Sequence, residues 1–221
     1  MTPAKHALIV ANGTDDGIGA FRGAAADGGI VIAVDGGADA CLASGITPAL
    51  IIGDLDSISH EARRRYEARG VAFDKHPVDK DQSDLELALQ AAVSKGATRL
   101  TVYGAMGGRW DMTVANLFLL LAPHLRDREV VFTDGCQHMR LVRDGERVVL
   151  SGRPGDTLSL IPLGGTVHGV HAAGVDWPLS DDVLYPWQSR GVSNRFRNAE
   201  ATISVTSGNL LCIHTEVRRP E

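Results

Sequence analysis

Up to about Gly135 the chain alternates short apolar runs with helix-compatible stretches, and each stretch stops at a glycine or a proline. The β-type runs are 7–11, 30–34, 49–52, 71–73, 100–103 and 130–133. Between them lie helix candidates 38–44, 60–69, 85–95 and 114–121, followed by Gly45, Gly70, Gly96 and, two residues on, Pro123. Glycine past a helix end takes the left-handed turn that closes it, and proline cannot continue a helix. Ser83, with Glu86 three residues later, has the form of a capping box for the third helix. Strand–helix alternation of this kind constrains the fold strongly. It demands a parallel sheet with helices on both faces.

The pattern changes past Gly135. Segments 139–142, 147–150, 157–161, 167–171, 201–205 and 210–214 read as strands with no strong helical period. Turn signals separate them, at Asp144-Gly145, Pro154-Gly155-Asp156, Gly164-Gly165 and Ser207-Gly208-Asn209. The expectation is an α/β fold: an N-terminal parallel-sheet domain over 1–136, followed by an antiparallel β-sandwich over 137–221. A chain of 221 residues with 44% hydrophobic content can bury a core in each.

Charge and cysteine usage narrow the function. The net charge of −5 argues against non-specific nucleic-acid binding, which needs a basic surface. Cys41, Cys136 and Cys212 are odd in number, widely spaced and outside any CxxC, as expected of free thiols in a reducing compartment. Neither a signal peptide nor a run approaching the ~20 apolar residues of a membrane span is visible, so a cytoplasmic protein without a membrane partner is expected.

Chemistry concentrates where strands should end. Gly53-Asp54-Leu55-Asp56-Ser57 follows the third apolar run, and i, i+2 side chains on an extended chain share a face. Lys80-Asp81-Gln82-Ser83-Asp84 opens the third helix, and Asp35-Gly36-Gly37 and Asn12-Gly13-Thr14 end two further strands. Open α/β sheets bind ligands beyond the carboxyl ends of their strands. Carboxylates there suit Mg²⁺ together with phosphate oxygens, which makes Asp54, Asp56 and Asp84 candidate metal ligands and Lys80 a phosphate-pairing cation. The plainer alternatives are a turn aspartate at 54, a helix cap at 56, and dipole complementation by Asp81 or Asp84. In Gly104-Ala105-Met106-Gly107-Gly108-Arg109-Trp110-Asp111, Arg109 can grip phosphate, while Asp111 can cap the helix, orient Arg109 or meet a substrate cation. This loop is neither GxGxxG nor a Walker loop. Gly191-Val192-Ser193-Asn194 offers a hydroxyl and an amide, or is simply a turn.

In these motifs the chain resembles the thiamine pyrophosphokinase (thiamine diphosphokinase) family. The matching elements are Asp35-Gly36-Gly37-Ala38, Gly53-Asp54-Leu55-Asp56-Ser57, the run from Lys80 to Leu89, Gly107-Gly108-Arg109-Trp110-Asp111 with Asn116, Asp176-Trp177-Pro178-Leu179 and Gly191-Val192-Ser193-Asn194. The resemblance implies transfer of pyrophosphate from ATP to the thiamine hydroxyl, giving thiamine diphosphate and AMP. It implies Mg²⁺, a homodimer with sites between subunits, nucleotide binding by the first domain and thiamine binding by the second. Asp54, Asp56 and Asp84 become metal-facing acids, with Asp56 or Asp84 the candidate base. Lys80 and Arg109 become phosphate-holding cations. Asn12, Asp35, Gly36 and Asp111 line the nucleotide site, and Ser193 and Asn194 stand near thiamine. Two departures stand out: Met112 replaces a usual His, and Ser83 a usual Thr. A Mg²⁺-dependent phosphoesterase or nucleotidyltransferase is the rival reading, and a thiamine- or nucleotide-sensing module, towards which Met112 leans, is the third.

Overall fold

The computed structural model describes residues 5–12 and 29–217. Gly13 and Thr14, expected beside Asn12 at the rim, lie outside the described residues. The chain divides into two compact units, Met1–Gly135 and Cys136–Glu221.

The first unit carries strands β1 (His6–Val10), β2 (Ile30–Val34), β3 (Leu50–Gly53), β4 (Ala72–Lys75), β5 (Arg99–Tyr103) and β6 (Glu129–Thr133). They lie in the order β6-β5-β1-β2-β3-β4, with every pair parallel. Ile9 on β1 sits between Ile32 and Val102 in register. The helices are α1 (Gly37–Ala43), α2 (His60–Ala68), α3 (Asp84–Ser94) and α4 (Trp110–Leu119). One sheet face, through Leu8, Val10, Val31, Ala33 and Ile51, packs with Cys41 and Ala38 of α1 and with Ala62 and Tyr66 of α2. The alternate residues Ile9, Ile32 and Ile52 are buried as well, and α3 packs along β1, β2 and β3. Both faces are covered, so these strands are apolar without alternation.

After β4 the chain returns across the sheet and places β5 on the other side of β1. That reversal opens a crevice at the carboxyl ends of β1 and β5, where open α/β sheets bind their ligands. Ser83 caps α3 by accepting from the Glu86 N–H at 3.2 Å. The Glu86 carboxylate does not complete the capping box. It accepts from the Gln82 and Gln90 side chains one turn either way.

The second unit holds two antiparallel sheets. One runs β12 (Asn194–Arg195), β9 (Thr157–Pro162), β14 (Leu210–Thr215), β7 (Gln137–Val142). The other runs β11 (Leu179–Leu184), β10 (Val167–Ala173), β13 (Glu200–Ser204), β8 (Arg147–Ser151). Val142, Leu158, Leu160 and Leu210 of the first meet Val167, Val170, Ala172 and Ile203 of the second in one core. This is the expected β-sandwich.

Two strands escape the sequence pattern. β11 is an edge strand with Asp181 and Asp182 in its middle, and its pairing with β10 shifts register. β12 has only two residues. Edge strands need no apolar alternation, so hydrophobic periodicity cannot find them. α4 starts at Trp110, four residues before the expected 114.

Candidate active site

The Gly53-Asp54-Leu55-Asp56 turn leaves β3 under tension. Leu55 is buried in the core of the first unit and has φ 66°, the left-handed region that a branched side chain seldom enters. Burying Leu55 fixes the turn, and Asp54 and Asp56 flank it. The Asp54 carboxylate locks the turn by accepting from the Asp56 N–H at 3.0 Å. Asp35 has φ 48°, a second non-glycine residue held left-handed on the same rim. Such conformations persist where the surroundings enforce them, and they cluster at functional sites.

The turn brings together carboxyl oxygens of Asp35, Asp54 and Asp84, all within 4.8 Å of one another. Gly53 makes the approach possible. It has φ 146°, and a Cβ on it would stand 3.2 Å from Asp35 Cβ and 3.4 Å from Asp84 Cγ. Burial, the first cause, raises the Asp35 pKa above the ordinary carboxylate value. Hydrogen bonds from the Ser57 side chain and backbone pull it down, and the charges of Asp54 and Asp56 push it up again. Asp35 Oδ1 is buried without a hydrogen-bond partner. A buried, unpartnered carboxylate oxygen beside two further acids is a costly arrangement for a bare protein. A hard divalent cation, which takes oxygen ligands only, removes that cost. The donor set fits Mg²⁺.

The sequence reading placed Asp56 in the trio. The structure gathers Asp35 instead. Asp56 is exposed, and its Oδ1 accepts from the Ser57 hydroxyl at 2.8 Å. The i, i+2 argument assumed extended backbone, whereas Leu55 turns the chain between the two acids. Nor does Asp56 cap a helix: the cap of α2 is Ser59, which accepts from Ala62 N. The contribution of Asp35 had a legible cue, an acid at a strand end before two glycines, but not its partners.

Two of the trio, Asp35 and Asp84, line a cleft of about 460 Å³ together with, among others, Asn12, Ser57, Arg109 and Asn116. Asn12 follows β1 and packs so tightly on Gly36 that a Cβ there would come within 2.7 Å of its Cγ. Lys80 Nζ lies 3.1 Å from Asp84 Oδ1 and donates to Pro77 O at 2.7 Å. A cation already waits beside the acids. Arg109 and Asp111 form a two-point ion pair at the mouth of α4, with Arg109 Nε donating to Asp111 Oδ1 at 3.2 Å. The hydrogen bond from Arg109 lowers the Asp111 pKa and raises that of Arg109. Asp111 does not cap α4, which has no side-chain cap bond, and pairs with Arg109 instead. Met112 lines the same cleft and carries no titratable proton.

The second unit has its own cleft of about 520 Å³, lined by Trp177, Pro178, Leu179, Arg190 and the run from Gly191 to Asn194. Asn194 is buried there, with Oδ1 accepting from Trp177 N at 3.1 Å and Nδ2 donating to Trp177 O at 2.7 Å. Its amide clamps the Trp177 backbone, a positioning task the sequence did not reveal. The Trp177 indole is half exposed, and the Arg195 guanidinium stands 5.2 Å from its centre. Ser193 has φ 63° and its N–H donates to Ser159 Oγ at 3.1 Å.

An α/β unit with an acid-lined cleft at its strand reversal, and a β-sandwich unit with a cleft beside Trp177, define a two-unit α/β protein. Residues 23–132 match the family model described as thiamin pyrophosphokinase, catalytic domain, and residues 146–210 that described as thiamin pyrophosphokinase, vitamin B1 binding domain. The chain belongs to the thiamin pyrophosphokinase family. It is 29% identical to the thiamine pyrophosphokinase of Bacillus subtilis (strain 168) over 96% of this chain and 99% of that protein. The crystal structure of the Bacillus subtilis thiamine pyrophosphokinase superposes with a TM-score of 0.87 at 27% identity, covering 97% of this chain and 100% of that one. Thiamin pyrophosphokinase from Candida albicans shares the fold, with a TM-score of 0.81 at 17% identity over 96% of this chain and 90% of that one.

Proposed function

We propose that the protein is a thiamine diphosphokinase, which transfers pyrophosphate from ATP to the thiamine hydroxyl and releases AMP. The alcohol oxygen attacks the β-phosphorus, the bond from that phosphorus to the α–β bridging oxygen breaks, and the hydroxyl proton passes to a carboxylate. Catalysis of such a transfer is positioning and charge stabilisation more than covalent chemistry. Asp35, Asp54 and Asp84 would hold Mg²⁺, which supplies charge neutralisation to the polyphosphate oxygens. Lys80 and Arg109 hold phosphate oxygens, and Asp111 aims the Arg109 fork. Asp56, outside the trio, is the base candidate. Asp84, the other candidate, stands beside Lys80. The cationic thiazolium ring of thiamine suits the cleft of Trp177, Ser193 and Asn194, because an aromatic face attracts a cation.

The mutual approach of three carboxylates around the unpartnered Asp35 oxygen carries this reading. Purified protein, ATP, Mg²⁺ and thiamine should yield thiamine diphosphate and AMP in equal amounts, read by chromatography. Formation of ADP or inorganic phosphate in place of AMP refutes the reading.

We further infer a homodimer. Trp110, Val114 and Phe118 form an exposed apolar row at helical spacing on α4, suited to burial against a second copy. Light scattering of the purified protein should give twice the chain mass. A cytoplasmic setting accords with Cys41, Cys136 and Cys212 forming no disulfide among the described residues. Among the described residues, no helix is long and apolar enough to cross a membrane.

A further inference from the structure

The loop that carries Arg109 owes its shape to hydrogen bonds, not to packing. It joins β5 to α4 with positive φ at Gly104, Gly107 and Gly108, of 73°, 91° and 65°. A Cβ added at Gly107 or Gly108 would meet no heavy atom within 4 Å beyond the neighbouring residues. The Arg109 side chain is 75% exposed, so packing does not aim it either.

Besides the ion pair with Asp111, two loop bonds converge on one hydroxyl, that of Thr113 in the first turn of α4. Its Oγ1 accepts from the Gly107 N–H at 3.1 Å and donates to the Arg109 carbonyl at 3.2 Å. The second bond is ordinary for a helical threonine, which often reaches the carbonyl four residues back. The first is not, because Gly107 stands outside the helix, six residues back. A hydroxyl has one proton to give, and here both that proton and an acceptor position serve the loop. Gly107, Gly108 and Arg109 line the first cleft, whereas Thr113 is not among its lining residues. Thr113 reaches the cleft through the loop.

We propose that Thr113 is a positioning residue for nucleotide binding, whose hydroxyl bridges Gly107 and Arg109 and so presets Arg109 for the nucleotide's phosphates. The inference rests on the proposed diphosphokinase reading, which gives Arg109 its phosphate. A loop preset in its bound form needs no ordering when the ligand arrives. Without the hydroxyl, nucleotide binding must supply that ordering. The loss is then equal in the ground state and the transition state, so it falls on KM and not on kcat.

Thr113→Val keeps the shape of the side chain and removes the hydroxyl. With Mg²⁺ present, its KM for ATP should rise about 10-fold, while kcat and the KM for thiamine change by about 2-fold at most. Thr113→Ser keeps the hydroxyl and should bring the KM for ATP back to within about 3-fold of the wild type. In an Arg109→Ala background, Thr113→Val should raise the KM for ATP by about 2-fold at most, because the side chain it aims is gone. A threonine that merely stabilises α4 would act equally in both backgrounds and on both substrates. An unchanged KM for ATP in Thr113→Val overturns the proposal. So does a rise shared by thiamine, a failure of serine to restore binding, or a full rise in the Arg109→Ala background. Should Thr113→Val not fold, Thr113→Ala, which also lacks the hydroxyl, takes its place. If the wild type forms no AMP, the diphosphokinase reading fails instead. Calorimetric titration of the same variants with ATP then decides the role of Thr113, with the same weakening of about 10-fold expected.

Discussion

Asp35 in the first unit and Asp156 in the second are both turn aspartates held partly or wholly out of water, yet the protein treats them in opposite ways. Asp156 is 4% exposed and richly partnered. It accepts from Arg153 N at 2.9 Å and Val217 N at 3.1 Å, and pairs with His214 Nε2 at 3.0 Å. Burial raises its pKa, but these bonds together outweigh burial and hold it below the ordinary value. Asp35 has an unpartnered oxygen, two acidic neighbours and a raised pKa. A satisfied carboxylate ties chain segments together. An unsatisfied one, enforced by strained backbone, marks where a ligand completes the protein. On the proposed reading the acid trio is set for a cation, and the Asp156 network for cohesion.

The largest expected effect of breaking this contrast is on catalysis. Asp54→Asn removes one carboxylate charge while keeping the shape and the Oδ1 that holds the Asp56 N–H. Diphosphate transfer should fall about 100-fold or more, measured as kcat with saturating ATP and thiamine. The far-ultraviolet circular dichroism spectrum should be unchanged. A variant retaining near wild-type kcat would remove Asp54 from the metal site.

In the second unit the matching substitution should strike stability. Asp156→Asn turns one acceptor oxygen into a donor facing N–H groups and breaks the pair with His214, at about 3 kcal/mol in urea unfolding. The pH dependence has a definite sign. The folded pKa of Asp156 is depressed, so its contribution is complete above the ordinary carboxylate pKa and is lost as pH falls through the lower folded value. Acid should therefore destabilise the wild type more than the variant. Equal acid sensitivity of the two would show that the network carries no such role.

The contrast also explains what was legible in the sequence. Strand–helix alternation gave the parallel sheet, because doubly covered strands are uniformly apolar and glycines stop the helices. The capping role of Ser83 was readable because it is local. The membership of the acid trio was not. Asp35 reaches Asp84 only through the sheet order that sets β2 beside β3 and through the space left by Gly53, neither of which periodicity encodes. Asp56 was misplaced because Leu55 at φ 66° breaks the alternation that would have put it beside Asp54. Asn194 was readable as a polar cleft residue, but its clamp on Trp177 joins positions seventeen apart, with β11 between them. β11 and β12 hid because edge strands owe their place to partners, not to an apolar face.

A smaller effect sharpens the role of Gly53. Gly53→Ala places a methyl group 3.2 Å from Asp35 Cβ in a backbone conformation that L residues avoid. The cost should be about 2 kcal/mol of stability. Activity should fall as well, since the methyl group separates Asp35 from Asp84. Loss of stability with full activity would mean the trio tolerates displacement, and that Gly53 serves the turn alone.

The smallest effect is the most diagnostic. Asp35→Asn removes the carboxylate that burial and its neighbours disfavour, so without Mg²⁺ the variant should be as stable as the wild type within about 0.5 kcal/mol, or more stable. The sign follows from linkage. Asp35 has a raised folded pKa, so the folded state holds this proton more tightly than the unfolded chain, and the group destabilises the fold once pH exceeds that pKa. Adding Mg²⁺ at neutral pH should raise the wild-type melting temperature by stabilising the charged trio, as any ligand specific to the folded state does. Asp35→Asn should show a much smaller rise, whereas Asp156→Asn, although less stable at the outset, should keep the full one. An undiminished Mg²⁺ response in Asp35→Asn would mean that the cation binds elsewhere, and that the unpartnered oxygen of Asp35 serves another donor.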